Sequence, residues 1–304
     1  MKWSDGSQRR VRLAPGDRVM FRWRKSEAEV VRRLGEGANG SVYMVRIAGI
    51  GACAMKVGND PFALQSEINA LQSVGGEAPE LLFSDDGLCR GEQFPLYIMA
   101  YVPGVPLSAA ALAGRTERLL AVGASLLERL CMLHAAGWAF GDMKPDNVMI
   151  GPGDAVRLVD YGGATPFGHS VRQFTELYDR GTWRLGGRRA DAAYDLFGFA
   201  AVMLEAAGLG GRMRALASSA APGKGERLIA LIGESGFPPA AAAELRRLLQ
   251  GRYADSREAL NGWRRAASEP VRVPPPAANE RWPQIWLAGA IAAFAAVLWW
   301  MNGP

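Results

Sequence analysis

The chain has 304 residues, of which 49% are hydrophobic and 21% are charged, and both shares are ordinary for a globular protein. This composition excludes intrinsic disorder, collagen and coiled coil as descriptions of the whole chain. Three isolated cysteines exclude a disulfide framework, and two histidines leave few ligands for a His-rich metal site. The net charge is +5, and residues 1–33 hold ten Lys or Arg against four Asp or Glu.

The start of the chain is therefore basic, and we treat residues 1–27 as a basic N-terminal extension. A basic stretch favours contact with DNA or anionic lipid, and the alternative is an ordinary solvated surface. No apolar run follows the first residues, so no signal peptide is predicted.

Short apolar runs separated by glycine-rich turns predict strands at 29–34, 41–46 and 52–57. From about residue 116 the pattern becomes helical, because leucine and valine recur at spacings of three and four between Leu119 and Leu133. Further helical segments are predicted at about 192–206, 238–250 and 255–266. The body of the protein should thus have a strand-rich first part and a helical second part.

The end of the chain has a different character. Residues 285–301 contain no charge, and seventeen residues of helix span about 26 Å, close to a hydrocarbon core of about 30 Å. Tryptophans flank this stretch at both ends, as in membrane interfaces, and the alternative is a buried core helix. Residues 267–284 hold five prolines and predict a linker. Arginines precede the span and none follows, which predicts a single-pass cell-membrane protein with its body in the cytoplasm. Small residues spaced by four in the span are compatible with a homodimer.

Residues 35–42 read G-x-G-x-x-G-x-V, and glycines let backbone N–H groups approach a phosphate closely. A strand-like run follows, where a Rossmann fold would need a helix, so an ordinary glycine hairpin stays open as an alternative. Lys56 lies in an apolar strand, where its burial is costly without an anion. A phosphate together with Glu67, on the next helix, would supply one.

The segment 140–162 carries the most specific pattern. Two apolar runs joined by Gly-Pro-Gly-Asp predict a β-hairpin, with Asn147 just before its first strand and Asp160 just after its second. Antiparallel pairing would bring these two oxygen ligands side by side, which suits Mg²⁺. Asp142 lies in the preceding loop, free to face a substrate hydroxyl.

In this order, the glycine loop, strand lysine, helix glutamate, catalytic loop and Asp-Tyr-Gly motif resemble the protein kinase superfamily over residues 28–266. The resemblance is greatest to bacterial eukaryotic-like (Hanks-type) Ser/Thr protein kinases. It implies an α+β fold with two lobes, a β-rich N-lobe and a helical C-lobe, and ATP with Mg²⁺ or Mn²⁺ in the cleft between them. The C-terminal anchor also resembles that of sporulation-associated bacterial kinases.

The resemblance implies that Asp142 orients or deprotonates the substrate hydroxyl and that Lys144 steadies the γ-phosphate. It makes Asn147 and Asp160 the metal ligands, and Asp195 the brace of the catalytic loop. The residues implied to bind ATP, directly or through the strand lysine, are Leu34, Gly35, Gly37, Gly40, Val42, Ala54, Lys56 and Glu67.

The chain departs from the family at two motifs. The family's H-R-D reads Phe140-Gly141-Asp142, so the arginine that meets an activation-loop phosphate is missing. The A-P-E motif is also missing between Gly162 and Asp195. We therefore expect activity that does not depend on a loop phosphate.

The predicted function is a membrane-anchored Ser/Thr protein kinase that phosphorylates protein hydroxyls and itself, with Ser170, Thr175 and Thr182 as candidate sites. Lys144-Pro145 favours protein substrates of the Ser/Thr type. One alternative is a pseudokinase scaffold, suggested by the two altered motifs. The other is a small-molecule or lipid phosphotransferase, suggested by the Gly141-Asp142 pair.

Overall fold

Six antiparallel strands form a closed barrel in the first part of the protein, in a computed structural model that describes residues 11–37, 40–74, 81–219 and 222–269. The strands follow one another around the barrel in the order β1-β2-β3-β4-β6-β5, and β5 pairs with β1 to close it. They are β1 (Arg18–Phe21), β2 (Glu27–Gly37), β3 (Gly40–Ile47), β4 (Gly51–Gly58), β5 (Leu81–Cys89) and β6 (Glu92–Ala100).

Alternating side chains fill the barrel, as the period of two in its strands dictates. Val30, Val45 and Met55 from the three central strands are at most 1% exposed. Each such side chain contributes about 1.5–3 kcal/mol by leaving water. The three strands predicted from apolar runs are thereby confirmed.

Strand β1 begins earlier than the domain boundary drawn at residue 28. Val19 and Phe21 point into the barrel, and Met20 pairs with Leu88 of β5. A run of four residues that begins with an arginine and is followed by another is too short for its apolar alternation to identify it as a strand within a charged extension. The basic stretch is thus partly a wall of the barrel.

Helix α1 (Pro61–Val74) follows β4 and brings Glu67 inside the protein. The Asp60 side chain accepts a hydrogen bond from Phe62 N at 2.9 Å, and Pro61 stands first in the helix, where a missing N–H costs nothing. Leu64, Ile68 and Glu67 share the buried face.

The second part of the protein is helical, and the predicted mixture of strands and helices is confirmed. Leu119, Leu126 and Leu133 of its first helix are at most 2% exposed, as their spacing predicts. The helices are α2 (Thr116–Ala135), α3 (Ala192–Leu204), α4 (Gly210–Ser218), α5 (Lys224–Ala230), α6 (Pro239–Leu249) and α7 (Ser256–Ser268).

Helix α3 forms the centre of this part, since nearly all of its residues are buried. A π-helical turn (Glu205–Leu209) joins it to α4, and the stretch Ala192–Ser218 is the one described helix long and apolar enough to cross a membrane. The most apolar part of this stretch is 67% buried inside the protein, which fits a core helix. The predicted membrane span at 285–301, and the linker beyond residue 269, lie outside the described residues.

Two small sheets support the loops between α2 and α3. The predicted hairpin forms from β9 (Val148–Ile150) and β10 (Val156–Leu158), and β7 (Val105–Pro106) extends it. Strands β8 (Trp138–Ala139) and β11 (Thr165–Pro166) form the second sheet. These sheets fix the two ends of the loop that carries Asp142.

Candidate active site

Three charged side chains meet between the barrel and the helical part. Lys56 Nζ lies 2.8 Å from the Glu67 carboxylate and 2.6 Å from Asp160 Oδ1. Lys56 is 3% exposed and Glu67 is 2% exposed. Burial by itself would lower the pKa of Lys56, but the carboxylates of Glu67 and Asp160 outweigh burial and raise it. The lysine is thus held as a cation inside the protein.

The carboxyl of Asp160 is held in its charged form. Burial would raise its pKa, but the nearby Lys56 ammonium outweighs burial and lowers it. The Asp160 backbone is left-handed, with φ of 61°, and its side chain accepts a hydrogen bond from Gly162 N. This turn aims the carboxylate back toward Lys56.

Tyr97 completes the buried side of this group and was missed by the sequence patterns. It pairs with Lys56 across β4 and β6, and its hydroxyl donates to Glu67 Oε1 at 2.8 Å. Burial and the Glu67 carboxylate raise the pKa of Tyr97 well above its usual value, so the phenol stays a donor. Its place follows from strand register, which no local motif reports.

The loop with Asp142 is held by backbone hydrogen bonds to α3. Asp195 is 0% exposed, and its carboxylate accepts from Phe140 N at 2.6 Å and from Gly141 N at 2.9 Å. His134 Nε2 lies 2.9 Å from the same carboxylate. Asp195 therefore contacts the loop in the way that the resemblance implies.

Asp142 itself is 2% exposed and lies beside Lys144, whose Nζ is 2.6 Å from its Oδ2. The Asn147 side-chain amide donates to the Asp142 carbonyl oxygen at 3.0 Å. Gln173 Nε2 and Thr175 Oγ1 donate to the Asp142 carboxylate at 3.3 and 2.8 Å. Sequence patterns gave no sign of the Gln173 contact.

The hairpin brings Asn147 next to Asp160. Leu158 pairs with Val148, and Val159 N donates to the Asn147 carbonyl at 2.9 Å. Within the part of the chain that the structure describes, no three His, Cys, Asp or Glu side chains form a metal cluster. One carboxylate and one amide fit Mg²⁺, which usually takes few protein ligands and completes its shell with phosphate oxygens and water.

A cleft of about 660 Å³ opens beside these groups. All the residues implied to bind ATP line it except Glu67, which lies behind Lys56. Lys144, Asn147 and Asp160 line it as well. Its lining also includes Met99, Ala100, Tyr101 and Val102, where the strand β6 ends.

The glycines of the loop leave room in this cleft. A Cβ atom on Gly35 or Gly37 would meet nothing within 4 Å, so the backbone there borders open space. Gly40 differs, because its φ is +148° and a Cβ would overlap the Val57 carbonyl oxygen of β4. A wall of backbone without Cβ atoms leaves room for a phosphate chain to approach closely.

Part of the basic stretch, within the residues that the structure describes, is paired with acidic neighbours. Arg18 lies 3.1 Å from Glu27, and Arg22 lies 3.9 Å from Asp86. Trp23 is 67% exposed beneath the Arg22 guanidinium, which lies 4.9 Å from the ring centroid. Arg33 lies 2.5 Å from Glu36. This surface is less cationic than the sequence suggests.

The chain is similar to proteins named as serine/threonine-protein kinases. It is 34% identical over 200 residues to serine/threonine-protein kinase YabT of Bacillus subtilis, covering 63% of this chain and 59% of that protein. It is 31% identical over 172 residues to probable serine/threonine-protein kinase PkwA of Thermomonospora curvata, covering 52% of this chain and 22% of that protein. Serine/threonine-protein kinase Pkn1 of Myxococcus xanthus is 31% identical over 152 residues, which cover 44% of this chain and 21% of that protein.

The chain thus spans less than two thirds of the length of these curated relatives. No protein-family model matches it. The similarities support the resemblance to Hanks-type Ser/Thr protein kinases.

Proposed function

We propose that the chain is an ATP-dependent Ser/Thr protein kinase with a two-lobed kinase fold. The observation that carries the proposal is the meeting of Lys56, Glu67 and Asp160 at one end of a cleft that also holds Lys144 and Asn147. These charges come from four separate elements, and each has a role in phosphoryl transfer.

In the proposed reaction, a Ser or Thr hydroxyl oxygen attacks the γ-phosphorus of ATP. The bond from that phosphorus to the β–γ bridging oxygen breaks, and ADP leaves. Asp142 accepts the hydroxyl proton, Lys144 stabilises charge on the γ-phosphate, and Lys56 binds the α- and β-phosphates. Mg²⁺ or Mn²⁺, when bound, would neutralise phosphate charge, with Asn147 and Asp160 as its protein ligands.

Two alternatives share this fold. A pseudokinase scaffold would gain support from loss of the lysine or of an aspartate in the site, but Lys56, Asp142 and Asp160 are all present and in contact with partners. A small-molecule or lipid phosphotransferase is supported by the Gly141-Asp142 pair alone. Neither alternative is favoured by the named relatives.

The test is transfer of labelled phosphate from Mg-ATP by the full chain to a generic basic protein. We expect Asp142→Asn to reduce transfer by at least about a thousandfold, since it removes the proton acceptor. The matched control is Asp86→Asn, an identical change on β5 at the outer side of the barrel. Equal activity of the two variants, or phosphate found only on a lipid or metabolite, would overturn the proposal.

We also propose that residues 285–301 anchor the protein in the cell membrane with its body in the cytoplasm. The support is the uncharged length, the flanking tryptophans and the arginines before the span. Small residues spaced by four in this span are compatible with a homodimer. Membrane flotation of the full chain and of a chain ending at residue 284 would test the anchor, and equal flotation would contradict it.

The relation to sporulation-associated kinases, and binding of DNA or anionic lipid at the basic N-terminal stretch, remain predictions. The support for binding of DNA or anionic lipid is the ten cations before residue 34, although Arg18, Arg22 and Arg33 have acidic partners. Addition of DNA or anionic vesicles at low salt should raise autophosphorylation. Unchanged activity would count against both ligands.

A further inference from the structure

Asp179 is a buried carboxylate between the Asp-Tyr-Gly motif and α3. It is 0% exposed and accepts from the Arg188 guanidinium at 2.7 and 2.9 Å. The amide and hydroxyl of Thr182 donate to it, each at 2.8 Å, and the Tyr194 hydroxyl donates at 3.0 Å. Burial would raise its pKa, but the hydrogen bonds from Arg188 and Thr182 outweigh burial and lower it. A carboxylate with this many donors is a fixed anion.

Arg188 links this anion to the residues that flank the active site. Its guanidinium lies 4.1 Å from the centroid of the Phe174 ring, in cation–π contact. Phe174 stands between Gln173 and Thr175, and both of these side chains donate to the Asp142 carboxylate. The position of the Asp142 neighbours therefore depends on where Arg188 is held.

The other end of the link is α3. Tyr194, which donates to Asp179, is the neighbour of Asp195, which holds the backbone of Phe140 and Gly141. Adjacent residues of one helix thus contact both sides of the site. Asp195 holds the loop that carries Asp142. Tyr194 contacts Asp179, and through Asp179 it holds the segment that faces Asp142.

We propose that Asp179, paired with Arg188, is a positioning residue that holds the substrate-facing segment 170–182 against Asp142. The inference rests on the proposed kinase function. The chain lacks the arginine that would meet a loop phosphate and the glutamate of an A-P-E motif. The Asp179–Arg188 pair supplies an anion–cation contact at this segment without any modification.

The first test compares Arg188→Gln with Arg212→Gln in the full chain. Both arginines are part-exposed and ion-paired, and Arg212 pairs with Glu234, which is not part of the segment. Arg188→Gln should raise the KM for the protein acceptor about tenfold, as expected for loss of a charge-assisted hydrogen bond. It should change the KM for ATP less than about twofold. Arg212→Gln should leave both constants near wild type.

A purely structural role for Arg188 would raise both KM values together or change neither, and either result overturns the proposal. Asp179→Asn is the second variant, and it should reproduce the acceptor effect and be non-additive with Arg188→Gln. Additive effects would show that the two residues act separately.

Hydrogen exchange tests the same inference without catalysis. Amides of residues 170–182 should exchange at least about tenfold faster in Arg188→Gln than in Arg212→Gln. Equal exchange would overturn the proposal even if the protein is an active kinase. If the wild-type chain transfers no phosphate, the proposed function fails, and the exchange result still decides whether the pair holds the segment.

Discussion

Gly141 passes so close to Gly163 that a Cβ atom on Gly141 would overlap the Gly163 carbonyl oxygen. Gly141 also has φ of +80°, a left-handed conformation that favours glycine. The H-R-D motif of the kinases that the chain resembles has arginine at this position, and an arginine could not take this backbone without moving the Asp-Tyr-Gly segment. The altered motif is therefore a requirement of local packing between the two loops of the site.

This contact predicts different costs for two similar substitutions. Gly137→Ala should cost about 1 kcal/mol in the free energy of unfolding, because Gly137 has the same φ of +80° but open space around it. Gly141→Ala should cost a further 1–3 kcal/mol, roughly, from the overlap. It should also reduce phosphate transfer by more than about tenfold. Urea unfolding and initial rates measure both effects, and equal costs would contradict the packing account.

Tyr97 should matter for ATP binding although no sequence motif includes it. Tyr97→Phe removes the donor to Glu67, and we expect a loss of about 2 kcal/mol in unfolding free energy. Because Glu67 holds Lys56, the affinity for ATP should fall severalfold. Isothermal titration with ATP measures the effect.

The matched control for Tyr97 is Tyr43→Phe, on the neighbouring strand β3. Tyr43 is also buried, and its hydroxyl accepts from Leu13 N at 3.2 Å, away from the cleft. The Tyr43→Phe variant should have a somewhat lower free energy of unfolding and an unchanged affinity for ATP. If both variants bind ATP equally well, the Tyr97–Glu67 hydrogen bond has no role in the site.

The lowered pKa of Asp160 predicts the pH dependence of stability. A carboxyl whose pKa is lower in the folded state than its ordinary 3.8 stabilises the protein above that value. This contribution is lost as pH falls through the folded pKa. The difference in unfolding free energy between wild type and Asp160→Asn should therefore be constant from about pH 6 to 8 and shrink below about pH 4.

The raised pKa of Lys56 predicts how the stability of the protein depends on pH in the alkaline range. Its pKa is raised above the ordinary 10.5, so its contribution is complete below that value and is lost only as pH rises further. Thermal unfolding of Lys56→Met and wild type from pH 6 to 10 should give a constant difference. A difference that falls between pH 7 and 9 would show that the lysine is not held as a cation.

Removal of covalently bound phosphate from the substrate-facing segment should leave phosphate transfer from ATP intact. The substrate-facing segment is held by side-chain carboxylates, so phosphatase treatment of the full chain should change the initial rate less than about twofold. Mass spectrometry must show that the loop is free of phosphate before assay. A loss greater than tenfold, restored by incubation with ATP, would contradict this expectation.

Sequence patterns predicted the parts of the site that local spacing encodes. The hairpin that joins Asn147 to Asp160 and the helix that carries Glu67 follow from apolar periodicity and turn residues, and both lie where the patterns indicate. The mixture of strands and helices was also predictable. These features depend on residues close together in the chain.

Contacts between distant residues could not be predicted in this way. Tyr97 reaches Glu67 through the register of β4 and β6, and Asp179 reaches Tyr194 through the path of an irregular segment. Strand β1 was hidden because its two inward residues are surrounded by arginines. In each case tertiary packing, and not local propensity, sets the position.

The distance along the chain between Lys56 and Asp160, 104 residues, has a consequence for folding. Closing such a long loop costs entropy that is recovered only when both the barrel and the helical part are in place. Lys56 can pair with Glu67 earlier, but it gains its second carboxylate, that of Asp160, only when this loop has closed. The nucleotide cleft should therefore be among the last features to form, and ATP binding should report completion of the fold during synthesis.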